Sequence, residues 1–404
     1  MKRANTPNRL RITALVALLS LLASACQPGA APAGQKGPIK IGGIFDLTGA
    51  TSDVGAAYAD GVKDYVTFLN ESGGVNGRQI NLISDDYSYQ IPKAEELYNR
   101  LVSQENVILI MGWGTGDTTA LTPRVTRDKK PFMSASYAED LVADVTRTPY
   151  NFMIGTTYSD QARILLSYIK KNWKESRPPK VSMSFSDTPF GKAPVDDAKA
   201  FMRENGIEEG PDVVVALNSL DMSPQLLAVK SANPDFIIMN HVQGPTAVEA
   251  KSAKQAGLEN TVLGTLNWGA GEKTIELAGS AADGMLGVVP FAFVHEDLPG
   301  LKEIKDFNDK RGKDWKQLPI NYVQGWVSMK VMAEGIKRVQ GEVTGESVKK
   351  ALETIKDFDT GGITAPITFS DKSHKGSPSA RVFKADASAN KWVELAPLTP
   401  APSR

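Results

Sequence analysis

The chain is poor in the residues that most often bind metals or carry redox chemistry. It contains one cysteine and three histidines among 404 residues. A single cysteine excludes an internal disulfide, a cysteine-based zinc site and a CxxC redox pair. The three histidines, His241, His295 and His374, lie in different segments, which argues against a metal held by histidine ligands. We therefore predict no bound metal.

The chain also lacks an excess of charge of either sign. Its 46 lysines and arginines balance 46 aspartates and glutamates. Proteins that bind nucleic acid normally carry a basic domain or stripe, so nucleic acid is not an expected partner. At roughly 100 to 200 residues per domain, the length favours two domains, or three small ones, with substantial hydrophobic cores.

The apolar stretch near the amino terminus is too short for a membrane span. Residues 12–25 make up 14 residues, whereas a helix needs about 20 to cross the hydrocarbon core. Four basic residues and no acidic one precede the stretch, and a Gly- and Pro-rich linker follows it. This layout is typical of a secretory signal peptide, so we predict a signal peptide over residues 1–25.

The single cysteine follows this apolar stretch directly. The sequence Ala23-Ser24-Ala25-Cys26 resembles a bacterial lipobox, in which the cysteine is lipidated and becomes the mature amino terminus. It departs from that pattern at Ala23, where leucine is preferred, and an ordinary signal peptide with an incidental cysteine is the alternative. We predict lipidation of Cys26, a lipid-anchored linker over residues 26–38, and an exported protein held at a membrane, in the periplasm or at the cell surface.

Short apolar runs alternate with amphipathic segments over residues 39–290. The runs predict strands at 39–45, 79–84, 107–112, 181–185, 213–217, 236–240, 262–266 and 285–290. Most are continuously apolar, as strands covered by helices on both faces are. Val62, Tyr65, Val66 and Leu69 show helical spacing between such runs. The alternation is typical of an α/β fold with doubly wound parallel sheets.

Helices predominate after residue 300. Their predicted bounds are 300–310, 321–340 and 345–356, and a final hairpin is predicted over residues 380–395. About eight strands with helices between them are too many for one compact open sheet in a chain of this length. We therefore expect two lobes.

Motifs of enzyme chemistry are absent or incomplete. Residues 268–274 resemble a Walker loop, but Glu272 stands where the glycine before Lys-Thr is required. The glycines of residues 112–116 follow a predicted strand, but their spacing does not fit GxGxxG, and we interpret the segment as a tight turn. The chain contains neither GxSxG nor HExxH. We predict no cofactor and no enzymatic activity.

Four segments form a pattern that is known from one protein family. They are Ile-Lys-Ile-Gly-Gly-Ile-Phe-Asp-Leu-Thr-Gly at 39–49, Gly-Gly-Val-Asn-Gly at 73–77, Ala-Lys-Gln-Ala-Gly at 253–257 and Ala-Asp-Gly at 282–284. Together they resemble type I periplasmic binding proteins of the leucine/isoleucine/valine-binding family, the solute receptors of ABC importers. The resemblance covers roughly residues 39–395.

The resemblance implies a particular architecture: two Rossmann-like, doubly wound lobes joined by a hinge of three crossings. The implied crossings lie near residues 155–157, 284–288 and 367–370. The implied domains are lobe 1 at 39–156 and 288–366, lobe 2 at 157–287 and 367–395, and a carboxyl-terminal tail at 396–404. By the same resemblance, we expect a monomer that holds a small-molecule ligand in the cleft between the lobes.

The resemblance also implies ligand-binding positions. They are Thr115, Gly116, Asp117, Thr118, Ala135, Ser136 and Tyr137 in the first lobe, and Phe190, His241, Gln243, Asn267 and Trp268 in the second. Gly116 stands where the amino-acid binders have serine, and Tyr137 stands where they have threonine.

One departure from the family bears on the ligand. The acidic residue that holds an ammonium group in relatives should fall near Leu266 or Asn267, and neither is acidic. A desolvated ammonium without a carboxylate partner is costly. Either Asp117 supplies the charge from the other lobe, or the ligand is not an α-amino acid. A branched-chain or other amino acid, an amide, a urea-like compound and an aromatic acid all stay open.

Three functions are compatible with the sequence. The leading hypothesis is a solute receptor that closes over its ligand by hinge motion and delivers it to the membrane subunits of an ABC permease. A sensory or regulatory binding protein of the same fold, acting on a kinase or chemoreceptor, is the alternative. A surface hydrolase is disfavoured, because no nucleophile and base motif is present.

Overall fold

The computed structural model describes residue 1 and residues 37–403. The predicted signal peptide, Cys26 and most of the predicted linker lie outside the described residues. The chain from Gly37 onward forms one compact unit with its own hydrophobic core. Within the described residues, no helix is long and apolar enough to cross a membrane.

The first sheet has five parallel strands in the order β2-β1-β3-β4-β5. The strands are β1 (Ile39–Phe45), β2 (Ile80–Asp86), β3 (Ile110–Met111), β4 (Phe132–Met133) and β5 (Asn151–Phe152). Strand β1 has the predicted bounds, and almost all of its side chains are buried, as its continuous apolar run requires. The register places Ile39 opposite Ile80 and Phe45 opposite Asp86.

The second sheet has eight strands in the order β13-β12-β11-β10-β9-β6-β7, with β8 paired to β6. The strands are β6 (Lys180–Ser186), β7 (Glu208–Glu209), β8 (Val213–Val215), β9 (Phe236–Asn240), β10 (Val262–Thr265), β11 (Leu286–Val289), β12 (Ser379–Asp386) and β13 (Lys391–Pro400). Strands β6 to β11 pair in parallel, whereas β12 and β13 are antiparallel additions.

Twelve α-helices of the described residues surround the sheets. They are α1 (Ser52–Glu71), α2 (Ile91–Ser103), α3 (Thr115–Arg127), α4 (Tyr158–Asn172), α5 (Pro189–Lys192), α6 (Val195–Glu204), α7 (Ser223–Lys230), α8 (Gln243–Gln255), α9 (Glu272–Ala278), α10 (Pro299–Asp309), α11 (Ile320–Lys337) and α12 (Gly345–Leu352). We call the first sheet with its helices the first lobe, and the second sheet with its helices the second lobe. Helix α11 packs along α1 and so belongs to the first lobe.

The α/β prediction with two sheets is confirmed. Strand β11 continues to Val289, so the boundary predicted at residue 288 falls inside a strand of the second sheet. Strand β13 continues to Pro400, so the predicted tail at 396–404 is largely strand. The predicted lobe boundaries and the predicted tail stay predictions.

The contact between α1 and α11 depends on glycine at the crossing. A Cβ atom on Gly61 would lie 2.1 Å from the carbonyl oxygen of Tyr322, and one on Gly325 would lie 1.9 Å from that of Tyr58. Neither distance is sterically possible, so both glycines let the two backbones approach closely. Beside the crossing, Trp326 packs edge-on against Tyr65, with ring centroids 5.2 Å apart.

Replacing Gly325 with alanine should therefore destabilise the first lobe. The added methyl group has to push α11 away from Tyr58, and overpacking of this kind costs about 1–3 kcal/mol. We expect Gly325→Ala to lower the melting temperature measured by circular dichroism. Lys337→Ala, at the exposed end of the same helix, is the control and should change stability by no more than about 0.5 kcal/mol. Equal melting temperatures for the two variants would contradict the close-packing argument.

Candidate functional site

A small cavity lies between the lobes, where the carboxyl ends of the strands of both sheets meet. It has a volume of about 20 Å³ and is lined by Thr51, Tyr89, Trp113, Gly114, Thr115 and Ala135 of the first lobe and by Tyr158, Phe190, Val242 and Trp268 of the second. A water molecule needs at least about 10–15 Å³ by this measure. The cavity in this closed arrangement therefore has room for little more than one water.

The fold explains why these residues converge. In the first lobe, Thr51 follows β1, Tyr89 follows β2, and Trp113 follows β3. In the second lobe, Phe190 follows β6 and Trp268 follows β10. Ligand sites of doubly wound sheets lie outside the carboxyl ends of the parallel strands. Two such edges face each other here, so each lobe contributes one wall.

Aromatic rings form a continuous wall across the lobe boundary. The ring of Trp268 is stacked on Tyr137, with centroids 5.6 Å apart and planes 3° from parallel, and it contacts the Trp113 ring at 4.9 Å. Its Nε1 donates to the hydroxyl of Tyr158 at 2.9 Å, while Trp113 Nε1 donates to Thr51 Oγ1 at 2.8 Å. Both indole N–H groups are satisfied, so the two rings are held in fixed orientations.

Hydroxyl groups brace the first-lobe wall. Thr115 Oγ1 lies 2.7 Å from Ser136 Oγ, and Thr118 Oγ1 donates to the carbonyl of Gly114 at 2.5 Å. Thr118 Oγ1 also lies 2.6 Å from Ser134 Oγ, so the contacts with Ser134 and Ser136 tie the start of α3 to the segment after β4, which carries Ala135. Thr115 is on the cavity wall, whereas Ser136 and Thr118 are buried behind it.

Asp117 places a buried carboxyl group behind this wall. Its Oδ1 accepts a hydrogen bond from the hydroxyl of Tyr87 at 2.8 Å. Its Oδ2 is buried and has no hydrogen-bond partner among the described residues. Burial raises the pKa of Asp117 to about 7, against the opposite effects of Tyr87 and of the backbone amides at residues 114 and 117. Among the described residues, the cavity wall contains no lysine, arginine or histidine.

Three polar residues predicted to contact ligand in the second lobe instead bind protein groups. His241 Nε2 lies 3.1 Å from Glu249 Oε2 and 3.2 Å from Ser184 Oγ, inside the lobe. Gln243 and Asn267 are both buried, and each bonds to a side chain of α11. Gln243 Oε1 and Asn267 Nδ2 are buried without a hydrogen-bond partner among the described residues, and contact of these side chains with the ligand stays a prediction.

The twelve predicted site residues thus divide into two groups. Thr115, Ala135, Phe190 and Trp268 line the cavity, and Gly116, Asp117, Thr118, Ser136, Tyr137, His241, Gln243 and Asn267 do not. Six lining residues were missed: Thr51, Tyr89, Trp113, Gly114, Tyr158 and Val242. The turn at 112–116 carried the available signal, but only Thr115 and Gly116 of this turn are predicted at the ligand, and Trp113 and Gly114 are not. The part that any of these residues plays in binding stays a prediction.

The chain is similar to proteins of one family along most of its length. Residues 38–390 match the family model described as periplasmic binding protein. The Leu/Ile/Val-binding protein homolog 7 of Brucella abortus is 25% identical over 357 residues, which are 85% of this chain and 87% of that protein. The leucine-, isoleucine-, valine-, threonine-, and alanine-binding protein of Pseudomonas aeruginosa is 23% identical over 324 residues, 80% of this chain and 83% of that protein.

Two solved structures are also similar to this chain along most of its length. A branched chain amino acid ABC transporter protein from Thermus thermophilus with bound valine has a TM-score of 0.83 and 28% identity, with 91% of this chain and 97% of that chain covered. An ABC transporter substrate binding protein from Aeropyrum pernix has a TM-score of 0.83 and 27% identity at the same coverage.

The buried carboxyl of Asp117 predicts a pH dependence of stability. Its pKa rises from an ordinary 3.8 to about 7 on folding, so the folded state binds the proton more tightly than the unfolded state. The contribution of Asp117 to the free energy of unfolding is fully present below pH 3.8 and is lost as the pH rises through 7, a change of order 4 kcal/mol. Asp117→Asn should remove this component from melting curves recorded between pH 4 and 8. Asp196→Asn, at an exposed position, should retain it, and parallel curves for wild type and Asp117→Asn would contradict the assignment.

Proposed function

Because the chain belongs to the periplasmic binding protein family, we propose that it is the extracytoplasmic solute-binding receptor of an ABC importer. It captures a small polar solute in the cleft between its lobes and delivers it to the membrane subunits of the permease. It acts as a monomer, without enzymatic activity of its own. The observation that carries this proposal is the cavity at the facing strand ends, with walls from both lobes. Hinge opening gives a solute access to such a cavity, and closure then surrounds it.

The relatives favour an amino acid as the ligand. Those from Brucella and Pseudomonas are named for leucine, isoleucine and valine, and the Thermus structure contains valine. The aromatic rings of Trp113, Phe190 and Trp268 offer an apolar surface for such a side chain. The hydroxyl of Thr115, which also lies on the cavity wall, offers a hydrogen bond to a polar group.

An α-amino acid and an uncharged amide need different partners in the site. An amino acid brings a carboxylate, which helix amino termini and hydroxyls can bind, and an ammonium group, which needs an acceptor. Asp117 Oδ2 is buried without a hydrogen-bond partner among the described residues, and we propose it as the acceptor of the ammonium group once the wall at Gly114 and Tyr89 moves. An amide needs no such ion pair. Both classes therefore belong in one ligand screen.

A thermal-shift screen tests the receptor function directly. The protein starting at Gly37 is mixed with branched-chain amino acids, other amino acids, amides, urea and aromatic acids. A true ligand at 100 times its Kd stabilises the fold by about 2.7 kcal/mol, which raises the melting temperature by several degrees. Amino acids without effect, together with a shift from another class, would overturn the amino-acid assignment. No shift with any compound would count against the receptor function itself.

Thr115→Val then tests whether the ligand occupies this cavity. The variant keeps the shape of the side chain but removes its hydroxyl group, so we expect the affinity measured by calorimetry to fall about tenfold. Thr119→Val, an exposed position one turn further along α3, is the matched control and should bind as the wild type does. Equal affinities for both variants would place the ligand elsewhere.

The lipid anchor is tested by a single substitution in the precursor. Cys26→Ser removes the thiol that we propose is lipidated, so the protein should leave the membrane fraction and become soluble after cell fractionation. Metabolic labelling with a radioactive fatty acid should mark the wild type and not the variant. A variant that stays with the membranes, or that is labelled equally, would refute the anchor.

A further inference from the structure

Two carboxyl groups reach across the cleft to helices of the opposite lobe. Asp53, in the first turn of α1, accepts a hydrogen bond through Oδ2 from the backbone amide of Gly244 at 2.7 Å, at the start of α8. Glu272, in the first turn of α9, accepts one through Oε2 from the amide of Ile320 at 3.1 Å, at the start of α11. One bond runs from each lobe to the other, so the arrangement is reciprocal.

Both receiving helices lack a cap of their own. The residue before α8 is Val242 and the residue before α11 is Pro319, and neither provides a side-chain cap. The first amides of a helix have no partner within the helix and carry partial positive charge. A carboxyl oxygen at that position accepts a hydrogen bond from these amides; the helix start favours its negative charge, whereas burial opposes that charge. The capping group of each helix therefore comes from the opposite lobe.

Buried amide side chains join the same helices. Gln243 Nε2 donates to Asn321 Oδ1 at 2.6 Å, Asn321 Nδ2 donates to Gln324 Oε1 at 3.2 Å, and Gln324 Nε2 donates to Asn267 Oδ1 at 2.9 Å. The first and last of these bonds cross between the lobes. Gln243 is seated against Gly271, where a Cβ atom would lie 2.4 Å from the Gln243 side chain. Opening of the lobes breaks every interlobe bond in this set.

We propose that Asp53 and Glu272 are the positioning residues of an interlobe latch, in which each lobe caps a helix of the other and so sets how readily the two lobes close. The latch consists of protein groups alone and includes no group of the ligand. It goes beyond the receptor function, because it describes an equilibrium between open and closed forms that exists without ligand.

The latch links closure to proton binding. Asp53 Oδ1 and Glu272 Oε1 are buried and have no partner among the described residues. Burial raises the pKa of Glu272 to about 7, against the amides of Ile320 and of its own backbone. Burial also raises the pKa of Asp53, against the amide of Gly244 and the positive charge of Lys273.

The direction of the effect follows from the open form. When the lobes separate, both carboxyl groups return to water and to ordinary pKa values near 4. The closed form therefore binds protons more tightly than the open form. The free energy by which this proton binding favours the closed form is fully present at low pH and is lost as the pH rises through about 7. Two positive groups face this site: Lys273 faces Asp53, and Lys251 lies on the wall of the groove that contains Asp53.

The test compares Glu272→Gln with Glu276→Gln in the ligand-free protein that begins at Gly37. Glutamine can still accept the bond from Ile320, but it buries no charge. Glu276 is exposed one turn further along α9, so its replacement removes the same charge without affecting the latch. Small-angle X-ray scattering gives the radius of gyration at pH 5.5 and 8. Hydrogen exchange, corrected for the intrinsic rate at each pH, gives the protection of the peptides that contain Gly244 and Ile320.

For wild type and Glu276→Gln, we expect a larger radius of gyration and at least about tenfold less protection at pH 8 than at pH 5.5, since one pKa unit corresponds to a factor of ten. Glu272→Gln should stay compact and protected at pH 8. If that variant does not fold, Asp53→Asn provides the same comparison at α8. Protection that is independent of pH in the wild type, or identical in Glu272→Gln and Glu276→Gln, would overturn the latch. Because no ligand is present, these outcomes do not depend on whether the solute screen succeeds.

Discussion

The polar groups that the two lobes bury against each other have to find partners, because an unpaired amide or hydroxyl in the interior costs several kcal/mol. Parallel strands place loop ends and helix amino termini at one edge of each sheet, and two such edges meet here. That geometry concentrates unpaired amides in the cleft. The bonds from Asp53 to Gly244 and from Glu272 to Ile320 meet part of this requirement.

Two pairs of helices organise these contacts. In the first lobe, α1 carries Asp53 and α11 begins with Ile320 and Asn321, and the two helices are held together at their glycine crossing. In the second lobe, α8 begins with Gln243, and the neighbouring α9 begins with Glu272. Each pair therefore presents one carboxyl group and one uncapped helix start to the other pair. The packing that stabilises each lobe also fixes the positions from which the lobes contact each other.

The sequence predicts those features that depend on local pattern. Strands β1 and β9 have their predicted bounds, because a strand buried on both faces is a continuous apolar run that any reader of the sequence can recognise. The two-residue strands β4 and β5 were missed, because two residues carry no periodicity. The aromatic wall was found only in part: Trp268 was recognised, whereas Trp113 was assigned to a structural turn.

Side-chain partners were the least predictable part of the site. His241 and Gln243 were placed against the ligand from their positions in the chain, but their hydrogen bonds go to Glu249 and Asn321. These partners are 8 and 78 residues away in sequence, and no local pattern records such a pairing. In the sequence, Glu272 is notable only because it occupies the position of a required glycine in a Walker-like segment. Its contact with Ile320 depends on the relative position of the two lobes, which the sequence does not give.

The small volume of the cavity has a kinetic consequence. A space of about 20 Å³ cannot admit an amino acid, so a solute has to enter while the lobes are apart. If opening is slower than diffusional encounter, the observed association rate stops rising with solute concentration and levels off at the opening rate. Departure is limited by the same motion, which has to separate Trp268 from Trp113 and Tyr137. The residence time of the solute is then set by the contacts between the lobes as much as by the contacts with the solute itself.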